Sequence, residues 1–128
     1  EMAARPNDTP MLIHCSGGKD RTGIACALLQ LALGVDKTEV MADYMHSLEL
    51  YSKHIDQNRQ SHAQIYDSSQ SGKLDSAALR PIYLVDPDYL NSSLDSITTR
   101  YGDMPSFLSK ALKFDAPQLN QLRAQLLE

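Results

Sequence analysis

The stretch His14-Cys15-Ser16-Gly17-Gly18-Lys19-Asp20-Arg21-Thr22-Gly23 decides how this chain is read. An apolar run, Met11-Leu12-Ile13, leads into it, and a long apolar segment, Ile24 to Leu33, follows. The first run has strand character and the second is long enough for a helix, so the residues between them form a loop that opens a helix N-terminus. Cys15 and Arg21 stand six positions apart, with glycines and a cation between them. Glycines let successive backbone N–H groups curl around one point, and a helix start adds partial positive charge there. The loop is therefore an anion cradle with a thiol at its base.

Length and composition set the frame. The 128 residues are the size of one domain, and the apolar and charged fractions are ordinary for a globular protein. No run approaches the roughly 18 apolar residues that cross a bilayer. A net charge of −4 gives no electrostatic case for nucleic acid or an anionic membrane as partner. The two cysteines are eleven positions apart and make no disulfide framework. A nucleophilic Cys15 would have to stay reduced, which favours a reducing compartment, whether a cytoplasm or a host cytosol entered by a secreted effector.

Residues 1–10 resemble the last turn of a helix, Glu1-Met2-Ala3-Ala4, and the loop after it. The expectation is a C-terminal fragment of a larger domain, associated with a missing N-terminal half. Residues 11–35 then give a buried strand at 11–15, the loop, and a helix from Arg21 or Thr22 that is apolar on nearly every side. Gly34 ends it. Asp36 opens an amphipathic helix over 37–56, striped by Val40, Met41, Tyr44, Met45, Leu48, Tyr51 and Ile55.

Polar residues 57–73 read as a loop, and 74–79 as a short helical piece stopped near Pro81. Asp86-Pro87 starts a helix carrying Leu90, Leu94, Ile97 and Tyr101 on one face up to Gly102. Asp103 with Pro105, and Asp115 with Pro117, start two more. The 11–15 run is the one good strand, and a single strand cannot satisfy its own backbone hydrogen bonds. Its sheet partners must come from outside this sequence. The fold class expected is α/β: a central sheet flanked by helices, to which this chain supplies one strand, the loop and five or six helices.

What the loop offers a phosphate monoester follows from its residue types. Backbone N–H groups from Ser16, Gly17, Gly18, Lys19 and Asp20 to Arg21 can converge on the phosphoryl oxygens, and Arg21 adds a bidentate fork that lysine could not match. Cys15 at the base of this bowl should have a lowered pKa and attack phosphorus as the thiolate. Thr22 can hydrogen-bond the sulfur and help it leave. No metal or cofactor is needed. A nucleotide-binding P-loop is excluded, because Asp20 follows Lys19 where that loop needs Ser or Thr.

At this point the stretch resembles the protein tyrosine phosphatase superfamily. More narrowly, His14-Cys15-x-x-Gly18-Lys19-Asp20-Arg21-Thr22-Gly23 looks like the loop of the bacterial and fungal tyrosine-phosphatase-like group, some of whose members act on phosphoinositides. Leu79-Arg80-Pro81, Asp86 to Leu90 and Arg100-Tyr101-Gly102 resemble that group's C-terminal region. The resemblance implies that Cys15 is the nucleophile, Arg21 the phosphate clamp, and phosphotyrosine in proteins or a phosphoinositide the substrate. Phosphoserine and phosphothreonine are further options.

Other residues carry two readings. Asp20 is either the general acid, which the superfamily usually draws from a segment upstream of the cysteine, or a helix cap. Lys19 either recognises a second phosphate or lipid headgroup, or is a solvated loop lysine. His14 either tunes the thiolate or is a satisfied strand residue. Cys26 packs in the core or serves as a redox partner of Cys15. His46, His54 and His62, each eight apart, have no metal-ligand spacing. The Met41 to Tyr51 stripe is core, or part of a helical lid within 36–80. The rival functional class is a non-catalytic phosphate-binding module with the same loop, and residues 36–128 could act as a helical interaction module in either case.

Overall fold

A computed structural model describes residues 10–49 and 84–127. Five helices run through them: α1 (Asp20–Leu33), α2 (37–49), α3 (Pro87–Tyr101), α4 (Met104–Lys110) and α5 (Ala116–Leu127). The expected end of α2 at 56, the loop at 57–73, the helical piece at 74–79 and most of the lid lie outside the described residues.

Helix α1 is the hub, packing on α3, α4 and α5. It starts at Asp20, one residue before the expected start, and ends at Gly34, whose φ of +98° is the left-handed geometry that suits glycine. There Gly34 N–H donates to Leu31 O and Val35 N–H to Gln30 O. Arg123 of α5 closes the same end, its Nη2 donating to Ala32 O at 3.0 Å and its Nε at 3.3 Å. A guanidinium on the last carbonyls of a helix also meets the negative end of its dipole.

The core is a cluster of Ala27 from α1, Val40 and Tyr44 from α2, Val85, and Leu90 and Leu94 from α3. Ile24, Leu28, Leu31, Met41, Met45, Leu48, Ile97 and Met104 pack against it half-buried. Only Ala27 and Ala32 of α1 are fully buried, so its apolar faces are less enclosed among the described residues than all-round apolarity predicts. Val40, Met41, Tyr44, Met45 and Leu48 of the expected α2 stripe, and Leu90, Leu94 and Ile97 of the α3 stripe, face this core, while Tyr51 and Ile55 lie outside the described residues.

The helix starts follow the cap chemistry read from sequence. Thr38 N–H donates to Asp36 Oδ1, Asp88 N–H to Asp86 Oδ1 and Ser106 N–H to Asp103 Oδ1. At α5 the exchange is reciprocal: Gln118 N–H donates to Asp115 Oδ1 and Asp115 N–H to Gln118 Oε1, a capping box with Asp in the Ser/Thr role. Tyr101 and Phe107 meet edge to face, 5.3 Å between centroids, across the α3–α4 corner.

One expectation is corrected. Residues 11–15 form no strand, none is present among the described residues, and Leu12 is 85% exposed rather than buried. A strand exists only as part of a ladder, and no neighbouring strand is described to pair with this one. The central sheet of the expected α/β fold is thus not seen in these segments.

Gly23 of α1 lies close against Tyr44 of α2. A Cβ built there would lie 2.6 Å from Tyr44 Cε2 and 2.7 Å from Cδ2, closer than atoms of a rigid ring tolerate. Gly23→Ala gains about 1 kcal/mol of helix propensity but forces overpacking that typically costs about 1–3 kcal/mol. The expected outcome is a net loss of stability in urea unfolding. In a double-mutant cycle with Tyr44→Leu, the second Gly23→Ala step should cost clearly less than the first.

Candidate active site

The site is built where the chain turns from residues 11–15 into α1. Gly18 adopts φ +68°, a left-handed conformation that costs glycine nothing and lets the loop curl back on itself. The curl brings Gly18 N–H to 3.2 Å from Cys15 Sγ. The cysteine thiol is lowered to about 7, first by the Thr22 hydroxyl, then by the Thr22 N–H, with smaller help from the Gly18 and Gly17 N–H groups. Burial works the other way, by more than either glycine amide. Hydrogen bonds to the charged form are the cause, so near neutrality a large share of Cys15 is thiolate.

The Thr22 hydroxyl oxygen is itself buried and makes no hydrogen bond in this structure, so its effect on the thiol is one of nearness to the sulfur. His14, by contrast, is exposed, and the groups that lower Cys15 do not include it.

Arg21 stands at the second position of α1, exposed beside the loop. Among the described residues no hydrogen bond or ion pair ties up its guanidinium. Ser16 is exposed and Gly17 half-buried. Cys15, the loop backbone and Arg21 are thus held in one short turn at the positive end of α1.

Lys19 and Asp20 are paired with each other. The lysine is not a solvated loop residue: it is 5% exposed, and its Nζ donates to Asp20 Oδ1 at 2.9 Å, to Asp20 Oδ2 at 2.6 Å and to Leu84 O at 3.3 Å. The cap reading of Asp20 is corrected too. Lys19 occupies the N-cap position, with no side-chain cap bond, and Asp20 is the first residue of the helix. The carboxylate therefore faces an ammonium, and its side chain is half exposed toward solvent.

Two partners of the site escaped the sequence. Leu84 contributes a backbone carbonyl, for which no side-chain signal exists. Tyr44, buried against Gly23, has its phenol pushed up by burial and by the charges of Asp20 and Asp86. A glycine inside an otherwise apolar helix was the available hint of such a close approach. Cys26 is a free, half-buried thiol, raised by burial and by Asp43, and it lines a cavity of about 160 Å³ with Gly18, Thr22, Gly23 and Tyr44. Gln30 Nε2 donates to Asp43 Oδ2 at 2.8 Å along the wall of that cavity.

The thiolate's dependence on Thr22 can be measured. Iodoacetamide alkylation of Cys15 should rise with pH to half its limiting rate near pH 7. In Thr22→Ala the half-point should move upward toward the ordinary thiol value of about 8.5. An unmoved half-point would remove Thr22 from the site.

A family model described as the tyrosine phosphatase family matches residues 1–128. A protein of Cupriavidus necator named a tyrosine-protein phosphatase is 32% identical over 109 residues, covering 85% of this chain and 37% of the relative. Triple specificity protein phosphatase PtpB of Mycobacterium tuberculosis is 30% identical over 122 residues, covering 92% of this chain and 44% of the relative. A tyrosine-protein phosphatase of Nostoc commune matches at 42% over 57 residues, 42% of this chain and 19% of the relative. The chain thus spans less than half the length of these curated relatives. With a family model that runs its whole length and a cysteine whose sulfur accepts from the Gly18 N–H just ahead of a helix start, the chain belongs to the tyrosine phosphatase family.

Proposed function

We propose that the protein hydrolyses phosphate monoesters, phosphotyrosine in proteins first among them, through a cysteinyl-phosphate intermediate. The observation that carries this reading is the Cys15 thiol lowered to about 7 by Thr22 and the Gly18 and Gly17 amides. Such a thiol is a nucleophile at neutral pH, whereas a binding module has no use for one. The name of the mycobacterial relative, a triple specificity phosphatase, supports testing phosphoserine, phosphothreonine and phosphoinositides beside phosphotyrosine.

In the first step Cys15 Sγ attacks phosphorus as the bond to the ester oxygen breaks. Arg21 and the loop N–H groups take the charge on the non-bridging oxygens, where electrostatic stabilisation has most to offer. Asp20 gives its proton to the departing phenolate. In the second step water attacks phosphorus and gives its proton to the Asp20 carboxylate. The P–S bond breaks, and the sulfur leaves as a thiolate that Thr22 stabilises. The proton taken from water in one turnover is the proton delivered in the next.

With the intact protein, Cys15→Ser should abolish turnover of p-nitrophenyl phosphate. The wild type should show a burst of p-nitrophenol and, on rapid acid quenching, a phosphorylated Cys15 by mass. Absence of both burst and turnover would return the chain to the class of phosphate-binding modules. Arg21→Lys keeps the charge but loses the fork, and should cost about 10²–10³ in kcat/KM, the range seen when a single transition-state donor is lost. Asp20→Asn should slow phenyl phosphate far more than a dinitrophenyl ester, whose leaving group needs no proton. General acids typically contribute about 10²–10⁴. Equal losses on the two esters would show that Asp20 is not the acid.

A further inference from the structure

The lysine of the loop stands apart from its neighbours. The Gly17 and Gly18 amides and Thr22 act on the thiol and Arg21 is exposed, but Lys19 is turned inward, 5% exposed, onto Asp20 and Leu84. We infer that Lys19 is a positioning residue for Asp20 rather than a ligand of substrate phosphate. The inference rests on the reading of Asp20 as the general acid.

Three observations support it. An ammonium is removed from water only where acceptors replace its hydration, and here both carboxylate oxygens and a main-chain carbonyl do so. Neighbouring residues inside a helix do not face each other. Lys19 and Asp20 can converge because Lys19 sits at the N-cap, with φ −108° and ψ −66° and no side-chain cap bond, one step outside α1. Finally, Leu84 O fixes the ammonium from the segment that leads into α3, so the carboxylate is held by two separate parts of the chain. Among the described residues, the charge of Asp20 is felt by the Tyr44 phenol on α2, as are those of Asp86, which accepts from Asp88 N–H at the start of α3, and of Tyr89.

The chemistry gives this clamp a purpose. When Asp20 passes its proton to a leaving oxygen it becomes a carboxylate, the state in which Lys19 grips both oxygens. Charge appearing on Asp20 during proton transfer is therefore met by a cation already in place, and the orientation survives into the hydrolytic step. An interaction that strengthens as the proton leaves accelerates the step. A lysine that merely bound substrate phosphate would act on ground state and transition state alike.

The test compares Lys19→Met, Lys19→Arg and Asp20→Asn in the intact protein on phenyl phosphate and dinitrophenyl phosphate. Lys19→Met should lower kcat on phenyl phosphate by tenfold or more, with a several-fold smaller loss on the dinitrophenyl ester and little change in KM for either. Lys19→Arg should recover part of that loss. Lys19→Met combined with Asp20→Asn should be no slower than Asp20→Asn alone. A rise in KM shared by both esters, with kcat intact, would make Lys19 a phosphate ligand and overturn the inference. So would Asp20→Asn that discriminates between leaving groups while Lys19→Met does not.

If Asp20→Asn itself fails to discriminate, the acid assignment falls first, and that outcome is distinct from a failure of Lys19 alone. Circular dichroism and thermal melts establish folding of each variant. If Lys19→Met does not fold, Lys19→Gln keeps a donor for Leu84 O, loses the charge and carries the same readout. Unfolding of both, beside a folded Asp20→Asn, would mark Lys19 as a purely structural cation.

Discussion

A thiol becomes a nucleophile at neutral pH only if donors reach the sulfur, and in this chain those donors are all local. Thr22 and the Gly17 and Gly18 amides lie within seven residues of Cys15 in the sequence. No distant ion pair is recruited, and even Arg21 is absent from the groups that lower the thiol. The consequence is a thiolate that survives as long as the loop keeps its curl and Thr22 stays in the first turn of α1. Everything else that is described serves to keep that first turn in place.

That service comes from both ends of α1. At its start, Tyr44 lies flat against Gly23, one residue after Thr22, so the α2 core sets the height at which the first turn sits. At its end, Arg123 and the left-handed Gly34 close the last carbonyls. Between them Ala27 packs into the Val40, Leu90 and Leu94 cluster, small enough to let the three helices come close. The Gly23–Tyr44 contact is steric, and it opposes small translations of the first turn that hydrophobic area alone would not resist.

Cap chemistry and periodicity were legible because they are local. Asp36, Asp86, Asp103 and Asp115 each capped the helix their neighbours implied, and the faces of α2 and α3 turned the way their apolar spacing required. The cysteine, glycines, arginine and threonine of the site could be placed for the same reason. What stayed hidden depended on non-local partners. The 11–15 run has strand composition, yet a strand is a relation between two segments and the second is not in view. Lys19 could not be placed from sequence alone because one of its partners is a carbonyl at Leu84, and main-chain acceptors leave no trace in a sequence. Tyr44 was visible as part of an apolar stripe, but not as the residue that requires a glycine at position 23.

The placement of Lys19 also settles the competition between two ordinary fates for Asp20. An aspartate at the mouth of a helix usually turns back to accept its N–H groups, because that satisfies orphan donors at little cost. In this chain the N-cap position is given to a lysine, which cannot accept anything, so the first-turn amides of α1 are left without a side-chain cap. A helix stabilised for its own sake would not be built this way, since a Ser, Thr, Asp or Asn at that position is worth roughly 0.5–2 kcal/mol. One first-turn amide, that of Thr22, serves the Cys15 sulfur. Leaving the others without an N-cap side chain costs stability in the free protein and keeps them available to an anion, while Lys19 holds the Asp20 carboxylate. Uncapped helix start and diverted aspartate are two sides of one arrangement, in which local stability is given up where an anion is to be bound.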